Sequence, residues 1–176
     1  MSWRIPITIF AICAGVLSFD SPTFAKPSSS DEYRVLSNKE IGLSLNRVQG
    51  FIDEGDVFFS KKDYAKAREK YDKARDMSRL LLGFYSDLST SFKGIDVRIP
   101  REMDKNSRQV LLMLSKANLR LSSLFRKSNQ ADLAVPLLVE VVRISSPANK
   151  EGQEAYQALL ELGFVDTPYR GAKRRF

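Results

Sequence analysis

The sequence predicts an all-α protein built from antiparallel helical hairpins. Apolar residues recur at three- and four-residue spacing through most of the chain after residue 37, the period of a helix with one buried face. Helix-starting and helix-stopping residues fall between the periodic stretches. With 176 residues, 43% hydrophobic and 28% charged, the chain suits one globular core. Its formal charge is +7, a mild excess compatible with an anionic partner. Histidine is absent. Imidazole bases, imidazole metal ligands and His-dependent triads are therefore excluded.

The N-terminus reads as an export signal. Arg4 and the free amine precede an apolar run from Ile5 to Phe19 that is too short to span a bilayer. Thr23 and Ala25 suit cleavage after Ala25, and a short uncleaved anchor is the alternative. Cleavage removes Cys13, the one cysteine, leaving a chain with neither disulfide nor thiol nucleophile. Residues 1–25 are thus assigned to a signal peptide, 26–36 to a loose mature N-terminus, 37–165 to a helical domain and 166–176 to a basic tail. Export places the protein in a periplasm, or in a thylakoid lumen if the source is cyanobacterial.

The first helix is expected at Ser37, because Ser37 and Glu40 form a capping box. Its stripe is Ile41, Leu45, Val48, Ile52, Gly55 and Phe59. Asp63 caps a second helix, with stripe Tyr64, Ala67, Tyr71, Ala74, Met77, Leu81, Tyr85 and Leu88, running to about Ser91. Residues 93–100 contain Gly94 and Pro100 and form the longest internal connection, separating two hairpins. A third helix carries Met103, Ser107, Val110, Leu114, Ala117, Leu121 and Leu124, with Leu111, Leu112 and Phe125 widening the apolar face. That width predicts a helix sandwiched between neighbours. Residues 131–144 are nearly all apolar and contain Pro136, which fits a buried helix or a strand through Leu137 to Ile144. A last amphipathic helix spans 151–162 on Ala155, Tyr156, Leu159 and Leu160, with Gly163 as its left-handed cap.

Phe51, Gly55, Phe58, Asp63, Tyr64, Ala67, Tyr71 and Ala74 stand at mutual spacings that resemble a tetratricopeptide repeat, in which a small residue lets two helices approach closely. A second, worn copy follows the same spacings at Asn118, Leu121, Ser122, Phe125, Ala131, Ala134, Leu138 and Val141, with Ser122 in the small-residue position. Ala67 and Ala134 are 67 residues apart, close to twice the repeat's period of about 34. Between the copies, residues 83–105 lack the pattern. The resemblance implies hairpins stacked as a short, irregular solenoid. It also implies a non-enzymatic scaffold, adaptor or assembly factor that holds a peptide or helix of another exported or membrane protein on its concave face.

Within that reading the candidate binding residues are Asp56, Lys116 and Arg120. Lys116 and Arg120 fall where one branch of the family places two cations of a carboxylate clamp, and four-residue spacing puts them on one helix face. Asp56 stands where the other half of the clamp needs a neutral or basic residue, so the expected ligand carries both signs of charge. The tail cluster Arg170, Lys173, Arg174 and Arg175, with Tyr169 and Phe176, suits weak contact with an anionic surface rather than nucleic acid. No phosphate loop and no zinc or calcium spacing occurs, so no cofactor is expected. The enzyme alternative is an exported carboxylate-dependent hydrolase of envelope polysaccharide. Its obvious close acidic pairs are Glu102 with Asp104 and Glu151 with Glu154, and neither spacing suits catalysis.

Overall fold

Five helices follow one another in the computed structural model, which describes residues 42–169: α1 (Leu45–Ser60), α2 (Tyr64–Ser91), α3 (Arg98–Lys127), α4 (Ala131–Ser145) and α5 (Lys150–Glu161). Every element among the described residues is a helix, and the protein is all-α. No helix there is long and apolar enough to cross a membrane. The expected signal segment, the loose mature N-terminus, the Ser37 capping box with Ile41, and Arg170, Lys173, Arg174, Arg175 and Phe176 lie outside the described residues.

The start of α1 differs from expectation. Residues 42–44 are not helical, and Ser44 is the N-cap, its hydroxyl accepting the Arg47 N–H at 3.2 Å. A helix continuous from Ser37 is thereby corrected: the local cap at Ser44 satisfies orphan donors one turn before Val48, the first fully buried side chain. Asp63 caps α2, its carboxylate accepting the Lys66 N–H at 3.2 Å.

Two turns have the same construction. At the end of α1, Lys62 takes a positive φ of 61°, its N–H reaches the Phe59 carbonyl, and the Asp63 N–H reaches the Phe58 carbonyl. At the end of α3, Asn129 takes φ 57°, its N–H reaches the Arg126 carbonyl, and the Gln130 N–H reaches the Phe125 carbonyl. Both are Schellman caps. They lie 67 residues apart in the chain. Gly163 closes α5 in the same way at φ 69°.

Each helix packs on its neighbours in sequence, and α3 also touches α1 and α5, so it is the sandwiched element that its wide apolar face requires. One cluster joins Val48, Phe51 and Ile52 of α1 to Ala74 and Leu81 of α2 and to Val110 and Ala117 of α3. A second gathers Ala67 and Tyr71, then Leu121, Leu124 and Phe125, then Ala134 and Leu137. The third holds α5 on α3 and α4 through Leu119, Leu138, Val141, Ala155 and Leu159. Residues 131–145 form a helix and not a strand. Pro136 sits on its exposed side, where water can serve the carbonyl that the missing N–H leaves open.

Beyond Leu81 in α2 and before Val110 in α3 no side chain of either helix is buried. The far ends of these helices, of 28 and 30 residues, therefore form a hairpin that extends past the core. Leu88, expected on an apolar face, is exposed there, and Leu112, which follows Val110 on α3 and is among the residues expected to widen its apolar face, is exposed as well. At the other end of the chain, the first residues assigned to the tail are held. Tyr156 donates its hydroxyl to the Thr167 carbonyl at 2.7 Å, and its ring meets Tyr169 edge-on at 6.2 Å.

Candidate partner-binding face

Three helices meet at Asp56. Tyr71 on α2 donates its hydroxyl to the carboxylate at 2.6 Å, and Arg120 on α3 donates Nε to it at 3.2 Å. Gly55, the residue before, makes the approach possible: a Cβ built there would fall 2.7 Å from Cδ1 of Tyr71. Burial, and then the negative charge of Asp56, push the Tyr71 phenol well above its ordinary range. The pair expected to face a ligand is thus brought together and bonded to itself. Lys116 lies one turn away on α3, exposed, with no ion-pair partner among the described residues.

The repeat-spaced residues sit as follows. Phe51, Gly55, Ala67, Tyr71, Ala74, Leu121, Ser122, Phe125, Ala134 and Leu138 are buried, whereas Phe58 and Tyr64 are half-buried at the edge of the second cluster. Ser122 turns its hydroxyl to the Leu119 carbonyl of its own helix.

Sequence reasoning missed the middle of this face. Among the described residues, three cavities open along α3, and each of them touches Ser123. One of about 210 Å³ lies among Asp56, Phe59, Tyr71 and Arg120. Another is bounded by Arg126 with Glu154, Gln157 and Glu161 of α5, and the third by Arg126, Lys127, Asn129 and Leu162. Lys127 stands 5.2 Å over the Phe59 ring, and Arg126 pairs with Glu161 at 2.7 Å. A three-residue step from Arg120 followed by a four-residue step reaches Ser123 and Lys127 on the same helix face.

Asn118, which opens the worn repeat copy, is fully buried on the opposite side of α3 and carries a polar network that its spacing did not show. Its Oδ1 accepts Nε of Arg75 at 2.6 Å, and its Nδ2 donates to Glu140 at 3.1 Å. Glu140 also receives Arg79, so α2, α3 and α4 are tied by one network.

The carboxylates whose pKa values move all move down. Hydrogen bonds from Lys70, Lys66, Lys73 and Arg126 respectively hold Glu54, Asp63, Glu69 and Glu161 below the usual range, and Arg98 takes Asp96 to about 2. Glu102 and Asp104 are exposed on α3, Glu151 lies in the first turn of α5, and Glu154 borders a cavity. No group of three or more acidic side chains that could hold a metal ion occurs among the described residues. No protein-family model, no curated protein and no solved structure matches the chain.

Proposed function

We propose that the chain is a tetratricopeptide-like interaction module, exported and non-enzymatic, that holds a segment of another exported or membrane protein on the face along α1, α3 and α5. The observation that carries this reading is the row of three cavities meeting at Ser123, lined by Arg120, Arg126 and Lys127, with Lys116 exposed one turn from Arg120 on the same helix. Extended chains bind in such rows through side-chain pockets and backbone contacts. Asp56 and Glu161 offset part of the positive charge, so the ligand carries both signs with an acidic excess. The repeat reading is supported by the twin turns 67 residues apart and by Gly55 lying against Tyr71.

The test is crosslinked capture from the native membrane fraction. Lys116→Glu with Arg120→Glu abolishes recovery of the partner, while the helical circular dichroism is retained. Lys116→Glu alone, which breaks no internal pair, weakens recovery at least several-fold. Unchanged capture by both variants overturns the reading. A hydrolytic activity on envelope polysaccharide that disappears in Glu102→Gln or Glu151→Gln puts the enzyme alternative in its place.

A further inference from the structure

The connection between α2 and α3 exposes apolar side chains that the fold does not use. Ile95 is 78% exposed and Val97 62%, the two highest values among large hydrophobic residues of the described chain. They stand at the far end of the hairpin, about 15 Å beyond the core by helix rise. Lys93, Arg98 and Arg101 surround them, all exposed. Asp96, the acid between them, is matched by Arg98 at 2.7 Å and also accepts the Arg98 backbone N–H.

The turn satisfies part of its own backbone. The Lys93 N–H reaches the Thr90 carbonyl, and the Ile95 and Asp96 N–H groups both reach the Phe92 carbonyl. Gly94 supplies the positive φ of 85° that the turn requires. Those donors stay bonded when the turn leaves bulk water, whereas the Gly94 and Val97 N–H groups, which have no backbone partner in the turn, need the water and headgroups of an interface.

We propose that this tip inserts Ile95 and Val97 into the interface of an anionic lipid bilayer, with Lys93 and Arg101 on the headgroups. Two side chains on a projecting turn fall far short of the roughly 800 Å² per partner that a stable protein interface buries, and none of the three cavities reaches the turn. Shallow insertion needs no such area, because two buried aliphatic groups and nearby cations each add affinity. Asp96 is matched by Arg98, and with the exposed Glu102 beside Arg101 the tip keeps one excess positive charge, which favours acidic lipid.

The experiment uses the full chain and lipid of stated composition. Bicelles of about 30% phosphatidylglycerol in phosphatidylcholine, doped with a spin-labelled lipid, should broaden the methyl NMR signals of Ile95 and Val97 and spare those of Val110 and Leu138. In vesicle sedimentation, Ile95→Asn with Val97→Asn should lower the partition coefficient about tenfold, with the melting temperature unchanged. Lys93→Glu with Arg101→Glu should do the same on anionic vesicles. Wild-type methyl signals untouched by the spin label overturn the proposal, as does equal sedimentation of wild type and tip variants. So does concentration-dependent dimerisation that the Asn pair removes, which would assign the tip to a second copy.

Discussion

Tyr71 fills the space that Gly55 leaves empty, its ring within contact of where a Cβ would stand and its hydroxyl bonded to Asp56, the next residue along. One aromatic side chain thereby sets the distance between α1 and α2 and orients the carboxylate that meets Arg120.

Gly55→Leu should lower stability by about 1 to 3 kcal/mol, because the fully buried ring has no room to move aside. Chemical denaturation measures it. Melting within a degree of wild type would mean that the two helices are not held at this contact.

Tyr71→Phe keeps the ring and removes the hydroxyl, at a cost of about 1 kcal/mol at neutral pH. The pH dependence has a definite sign. The folded-state pKa of the phenol is raised, so its contribution is complete below the unfolded value near 10 and is lost as pH rises beyond it. Wild type should therefore lose stability above pH 10 more steeply than Tyr71→Phe, and the two denaturation midpoints should converge.

Asn118→Leu should destabilise by about 1 to 3 kcal/mol despite adding apolar volume to a buried site. It deprives Arg75, whose side chain is only 15% exposed, and Glu140 of a shared partner. A variant as stable as wild type would show that water replaces the amide.

Gly152→Ala should cost about as much as Gly55→Leu. A Cβ there would overlap the backbone carbonyl of Ser146, with the carbonyl carbon 2.6 Å away, and Ser146 is itself held at φ 58°. Hydrogen exchange should show α5 loosened before α1 and α2.

The elements were legible where the signal is local. Asp63, Pro100 and Gly163 act on backbone groups within a few residues, and the apolar period reports burial directly. The capping-box pattern pointed to Ser37, whereas the serine that caps α1 is Ser44, which has no glutamate three residues on to mark it. The pairings that shape the face are not local. Arg120 lies 64 residues from Asp56, and Arg75 lies 43 from Asn118. A buried asparagine in the slot that Phe51 fills in the first hairpin reads as wear until its two partners are seen around it.

The order in which helices touch also bears on how the chain reaches this state. Each helix finds most of its contacts on the next one along, across turns whose caps can form before any distant contact exists. Loop closure then costs little entropy at each step, and the rate-limiting barrier should be low for a chain of this length. Ordering can begin at the Lys62 turn or the Asn129 turn independently. A substitution that cripples one turn should slow refolding without stopping it, since the other remains free to nucleate and spread through α3.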